Sequence, residues 1–383
     1  MALIEQAVQT ISGDIRGRIG AVGVAFSRSA RCHFDGGLEQ EMTIELAAQG
    51  SFYFGFDHIT APGEIDLSDL RGNAGEIFPI HQGYVRFQVP VRPRKYPLVM
   101  VHGAGQTGKT YENTRNREGY ESIFLRRRWS VYIPDLTTRG RASMTTFSGS
   151  FGDLLGKQVG PPTTRRYGNK HLFNGFRLGN WTVGEPQFFS AVQFPRSRVE
   201  FEQFGAQGVP FDLAAPTGST TPDDADTMSD NLSALMREVG PAILITHSQS
   251  GLFGWHTRIK NPNVKAIVSY EPISFVFPDQ DLPAGEIGIP AEKFARLTQL
   301  PIQLVFGDNI SAEGNHWQRW WHKNLGRARL FADAVNRHGG DAQVVHLPEV
   351  GIHGNTHFPF ADLNNHQIAD LLSTFLREKA LDD

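Results

Sequence analysis

Ile243-Leu-Ile-Thr-His-Ser-Gln-Ser-Gly251 is the stretch on which the reading of this chain turns. An apolar, β-branched run leads into Thr246-x-Ser248-x-Ser250, and helical spacing follows from about Gly251 to Ile259. That order suits a nucleophile elbow, the sharp strand-to-helix turn that lifts a serine hydroxyl clear of a sheet edge. The turn is tight, so the positions two before and two after the serine must be small; Thr246 and Ser250 stand where glycines are usual. The following helix aims its first amides at the reacting centre, and the Gln249 N–H is placed to hold an oxyanion. The bland alternative is a buried strand that ends in a serine-rich turn.

Outward from this stretch, short apolar runs alternate with helical ones, which predicts a mostly parallel sheet covered by helices. The strand candidates are Tyr84–Val89, Leu98–Val101, Val131–Ile133, Ile243–Thr246, Ala266–Tyr270, Ile302–Phe306 and Gln343–Leu347. Asn324–Arg337 and Asn364–Glu378 carry apolar residues at helical spacing. These elements assign residues 80–143 and 229–383 to one α/β core. Residues 1–79 read as a strand-rich N-terminal extension packed on it, with Ser51–Phe54 the best strand. Residues 144–228 lack periodicity but are dense in aromatics, from Phe147 and Phe151 through Phe173, Phe176, Trp181, Phe188, Phe189, Phe194, Phe201 and Phe204 to Phe211. An irregular stretch of that length does not fit inside a compact core, so it is expected to form a cap or lid.

Composition excludes several classes. Hydrophobic residues make up 40% and charged ones 20%, as in a globular enzyme rather than a disordered chain. A net charge of −3 gives no electrostatic case for nucleic acid or an acidic membrane. The single cysteine, Cys32, cannot form an internal disulfide, and no Cys/His spacing reads as a zinc site. The apolar run Ile19–Phe26 is short for a signal peptide and no stretch approaches the roughly 20 apolar residues that span a bilayer, so a cytoplasmic location is expected, with export left open.

Other residues complete a possible site. Tyr96-Pro-Leu-Val-Met-Val-His-Gly-Ala-Gly105 is a strand that ends in His-Gly, a loop able to supply a second oxyanion N–H from Ala104. The same loop, Gly103 to Thr110 with Lys109, matches the phosphate-binding pattern GxxxxGK[ST]. Taken alone that pattern would name a nucleotide-binding protein, with Asp135 the nearest acid for a magnesium ion. It would leave Ser248 unexplained. The base should come after the last strand, where Gly351-Ile-His-Gly-Asn-Thr-His357 offers His353 and His357. His247 adjoins the serine but is read as pointing away along the strand. The acid is Glu271 or Asp308, each at a strand end, and strand order favours Asp308.

His-Ser-Gln-Ser-Gly, Ser-Tyr-Glu-Pro, Val-Phe-Gly-Asp and Gly-Ile-His-Gly-Asn-Thr-His together resemble a small, Alcaligenes-type bacterial esterase family of the α/β-hydrolase fold. The likeness is close from about 230 to 378, moderate from 50 to 143, and poor in the cap and the N-terminal part. It implies a Ser-Glu-His triad, here Ser248, Glu271 and His357, with Ala104 and Gln249 amides as the oxyanion hole. It thereby prefers Glu271 to Asp308 and His357 to His353, and it implies a homodimer. One departure stands out: a member of that family has a vicinal pair of cysteines after His-Gly, where this chain has Ala104-Gly105.

The expected activity is hydrolysis of a hydrophobic or aromatic carboxylic ester through an acyl-enzyme on Ser248, with no metal or cofactor. A lactonase or carbon–carbon hydrolase would use the same triad. The expected partner is a small-molecule ester or lactone, with neither nucleic acid nor membrane. Outside this class stand the nucleotide-binding reading of Gly103–Thr110 and a non-catalytic binding protein on the same fold.

Overall fold

A computed structural model describes residues 43–69, 72, 74–115, 117–142, 164–183, 186–212 and 222–383. Cys32, the run Ile19–Phe26 and the aromatics Phe147 and Phe151 lie outside the described residues.

The runs of β-branched and apolar residues form one eight-stranded sheet. Its strands are β1 (Leu46–Phe54), β2 (Gly83–Pro90), β3 (Leu98–Val101), β4 (Val131–Asp135), β5 (Ala242–His247), β6 (Val264–Tyr270), β7 (Pro301–Phe306) and β8 (Asp341–His346). They lie in the order β1-β2-β4-β3-β5-β6-β7-β8. From β4 to β8 every pairing is parallel, while β2 runs antiparallel to both β1 and β4. This is the expected α/β-hydrolase architecture. It differs at the N-terminal side, because β1, drawn from the expected extension 1–79, is a strand of the main sheet rather than a layer upon it. Eight residues of β1 pair with β2, with a shift of register between Leu46 and Ala48.

Parallel strands buried on both faces need apolar residues at every position, and β3 and β5 are buried throughout. Alternate side chains go to opposite faces. Val99, Val101 and Leu244 join a core with Leu232, Trp255 and Phe331, contributed by α3 (Pro222–Val239), α4 (Ser250–Lys260) and α5 (His316–Arg337). Leu98, Met100, Ile243 and Ile245 join the other core with Phe124 and Leu372, from α1 (Tyr120–Arg126) and α6 (Asn365–Glu378). α5 starts two turns before the expected Asn324, where Asn315 and Gln318 form a reciprocal capping box.

The aromatic segment packs into this second core. Leu172, Phe173, Phe176, Leu178, Phe194 and Phe201 are buried there beside Ile243 and Ile245. Phe173 is packed on by Phe188 at 4.8 Å and Phe201 at 5.5 Å between ring centroids, and Phe201 lies in α2 (Arg198–Ala206). Each such ring, fully buried, contributes roughly 1.5–3 kcal/mol. Leu172, Phe173, Phe176 and Leu178 are thus part of the core itself.

The chain passes from β3 to β4 on one side, then returns to place β5 on the other side of β3. That reversal is the switch point at which doubly wound sheets leave a crevice at the carboxyl ends of their strands.

Candidate active site

The register across this crevice decides which residues meet. Thr246 pairs with Val101 on one side and with Ser269 on the other. Two residues further on, Gly103, Ser248 and Glu271 come level at three neighbouring strand ends. Ser248 sits at φ +55 in the turn between β5 and α4, the elbow conformation, and its N–H donates to Tyr270 O at 2.9 Å. Gly103 is required beside it, since a Cβ there would lie 2.8 Å from His247 Nδ1 and 3.1 Å from Ser248 Cβ. Gly251 makes room for Pro272 in the same way, at 2.6 Å.

Thr246 and Ser250 are more than small. Thr246 Oγ1 donates to Ser269 Oγ at 2.7 Å, tying β5 to β6. Ser250 Oγ accepts from His247 N at 2.9 Å and reaches Val101 O at 3.1 Å and His247 O at 3.0 Å. The hydroxyl thus ties the turn to β3 and to its own backbone.

His357 arrives on the loop after β8, and its Nδ1 lies 2.6 Å from Glu271 Oε2. Its N–H donates to Phe176 O at 3.0 Å, and its ring stacks on Phe176 at 5.0 Å and packs on Trp321 at 4.6 Å. Glu271 is wholly buried at φ +48, and its other oxygen, Oε1, accepts from Gly307 N at 2.7 Å and from Arg177 Nη2. Burial pushes the Glu271 carboxyl up, but the Arg177 charge and the bond to His357 outweigh it and hold the group below its usual value. Burial lowers His357; Glu271 opposes this and Arg177 reinforces it, for a net shift downward. A neutral imidazole held by a charged carboxylate is the state in which a histidine can take a proton from a hydroxyl.

Asp308 and His353 form a separate pair. Asp308 Oδ2 accepts from Gly354 N at 2.7 Å and lies 3.6 Å from the largely exposed ring of His353. Asp308 thereby braces the loop that carries His357, with its carboxylate engaged by the Gly354 and Asn309 amides.

His247 fills a core position. It is buried under His357, ring centroids 4.5 Å apart, with Nε2 2.9 Å from His357 O. A carbonyl only accepts, so Nε2 carries the proton, and burial keeps this ring well below the usual imidazole value. His102 is set in the opposite sense: Leu136 N donates to its Nε2 at 3.2 Å, leaving Nδ1 to donate to Gly103 O at 2.9 Å. Burial pushes it down to about 4. His102 therefore acts on the loop before Ala104 as a neutral donor.

That loop does not cradle phosphate. Gly108 N, which the nucleotide reading would aim at an anion, donates to Asp135 Oδ1 at 2.7 Å. Lys109 Nζ is turned to Asn113 O and Glu112, and only a four-residue 3₁₀ turn follows, Gly108–Tyr111. Asp135, the candidate magnesium ligand, is further engaged by Arg141. At the vicinal-cysteine position, Gly105 takes φ +66 and lies under Tyr167 and Phe211, where a Cβ would be 3.0 and 3.1 Å from their rings.

The chain is similar over 88% of its length to a solved bacterial esterase, with 32% identity, a TM-score of 0.72 and 98% of that chain covered. It belongs to that bacterial esterase family of the α/β-hydrolase fold. A probable secreted lipase of a fungus (Fungal sp. strain ATCC 74256) is also similar to it, 28% identical over 333 residues, covering 77% of this chain and 86% of the relative. No protein-family model matches.

Membership in the esterase family leaves one charged residue unread by sequence, Arg177. It is wholly buried against Glu271, among aromatics whose spacing gave no signal. A cleft of about 530 Å³ opens next to the site rather than at Ser248. It lies between Lys109–Gly119, α2 and Thr356–Asn365, and Phe358, the neighbour of His357, forms part of its wall. Among the described residues no helix is long and apolar enough to cross a membrane.

Proposed function

We propose that this carboxylic ester hydrolase works by acyl transfer through Ser248, with His357 as base, Glu271 as its partner, and the Ala104 and Gln249 N–H groups as oxyanion donors. The carrying observation is the Glu271–His357 contact of 2.6 Å at the strand end level with the Ser248 elbow. His357 Nε2 takes the Ser248 proton as Oγ attacks the ester carbonyl, and the tetrahedral oxyanion is met by the two amides. The imidazolium then protonates the leaving alcohol, and water activated by the same ring frees the acyl group.

The imidazole lies in dry surroundings, between Phe176, Trp321 and Phe358. These rings support an ester with an apolar or aromatic part. Fluorophosphonate labelling that is confined to Ser248, together with hydrolysis of p-nitrophenyl esters of graded chain length, tests the reading; a lactone set run alongside separates ring opening from ester cleavage. An unlabelled protein that hydrolyses none of them would favour the binding-protein reading. We further propose a cytoplasmic homodimer in which residues 144–228 form a cap, a reading supported by the sequence and the family resemblance.

The base must be neutral to act, and His357 is shifted below the ordinary 6.5. The fraction of working enzyme is thus complete above pH 6.5 and is lost as pH falls through the lowered value. The acid limb of kcat/KM is expected below pH 6.5 in a pH profile; a limb at or above 7 would contradict this.

A further inference from the structure

Arg177 is contributed by the aromatic segment, yet its partners are the catalytic core. Nη2 donates to Glu271 Oε1, Nε donates to Asp308 O at 2.8 Å, and the guanidinium lies 4.7 Å over the Trp321 ring. Trp321 packs on His357, and its Nε1 donates to Gly175 O at 2.9 Å. The next residue before Arg177, Phe176, accepts the His357 N–H and stacks on the imidazole. One turn of chain, Gly175–Arg177, therefore contacts both members of the acid–base pair.

Stability is a poor reason for this arrangement. A buried ion pair costs desolvation of both charges and is often no better than packed apolar side chains. Here Nη1 also finds no hydrogen-bond partner among the described residues, and Arg177 itself takes φ +60, an unfavourable backbone for a bulky side chain. What the cation does do is electrostatic. It lets Glu271 stay ionised without water, and it stands near the site where the imidazolium forms.

We propose that Arg177 is a positioning residue for the reaction, fixing the Glu271 carboxylate and tuning the proton affinity of His357 through it, so that seating Gly175–Arg177 completes the acid–base pair. This rests on the triad reading above. The charged and titratable groups around the pair are few. His357 faces Glu271, Arg177 and the neutral His247; Arg177 faces Glu271 and only the main-chain oxygen of Asp308. The carboxylate of Asp308 is turned to Gly354 N and Asn309 N, beside His353. Without the cation the Glu271–His357 pair holds a proton more strongly, whether on the carboxylate or on the imidazole, and both raise the pH at which the working pair, ionised Glu271 with neutral His357, forms.

The test is a cycle of Arg177→Met, Glu271→Gln and the double variant, with Arg177→Lys beside them. Arg177→Met should lower kcat about 10- to 100-fold and move the acid limb of kcat/KM upward by about one pH unit. Arg177→Lys keeps the charge and should leave the limb near its wild-type position. In the Glu271→Gln background, where no carboxylate remains to be held, Arg177→Met should cost nothing further in kcat. If Arg177→Met is too unstable to assay, the double variant against Glu271→Gln still decides, because it buries no unpaired charge. An unmoved acid limb in folded Arg177→Met, or an equal loss in both backgrounds, would overturn the proposal. A near-normal Glu271→Gln would instead sink the triad reading beneath it.

Discussion

Replacing Ser248 with alanine is expected to lower kcat for ester hydrolysis by about 10⁵- to 10⁶-fold, with the fold unchanged. The loss is large because the nucleophile and its base act as one unit, so removal of the hydroxyl idles His357 and Glu271 as well. The structure offers little reason for a stability penalty. The backbone bond from Ser248 N to Tyr270 O does not involve the side chain, and alanine meets the same backbone demand at φ +55 as serine. Ser250→Ala is the paired control and should behave in the reverse way. Its hydroxyl joins His247 N, Val101 O and His247 O, so its loss should cost about 1–3 kcal/mol of stability while much of the activity remains. Steady-state kinetics beside urea denaturation separates the two. A dead Ser250→Ala enzyme with an active Ser248→Ala enzyme would place the elbow two residues further on.

Glu271→Gln should cost roughly 10²- to 10⁴-fold in kcat. A glutamine amide can donate to His357 Nδ1, which would put the imidazole proton on the wrong nitrogen for a base. It also withdraws the charge that stabilises the imidazolium and leaves Arg177 without its counter-ion. Asp308→Asn should be close to silent in turnover, because Asp308 bonds loop amides and its histidine neighbour, His353, faces solvent. Kinetics on the two variants at one pH above the acid limb is sufficient. A crippled Asp308→Asn with a near-normal Glu271→Gln would move the acid to the next strand.

The sheet was legible because strands buried on both faces need apolar residues at every position; Leu98–Val101 and Ile243–Thr246 could hardly be anything else. The elbow was legible for a steric reason, its small neighbours. Between Glu271 and Asp308 strand order leaned to Asp308, but both end a strand and only the third dimension tells which one faces His357. There the family resemblance, rather than the residues, favoured Glu271. Arg177 was out of reach: its two partners lie 94 and 131 residues away, and no periodicity marks a side chain that meets the core by tertiary contact alone. For His247, alternation along β5 says where a side chain leaves the strand, but not that the later loop of His357 descends onto it. One missed signal was readable: Asn315-x-x-Gln318 is a helix start in plain sequence.

Ser248, Glu271 and Arg177 share a left-handed backbone that side chains rarely adopt, at φ +55, +48 and +60. For residues other than glycine each such position costs of order 1 kcal/mol. The residues that carry the charge and the hydroxyl are thus also places where the chain could gain from a glycine. Selection for heat resistance and selection for turnover pull in opposite directions here. A library screened only for survival at high temperature should drift toward Ser248→Gly, a variant expected to melt higher than the wild type and to hydrolyse nothing. A Ser248→Gly protein that melts no higher would mean that its neighbours already relieve the strain. Thermostable descendants of this enzyme will have to find their added stability on the helices and the sheet margins, and leave these three strained residues as they are.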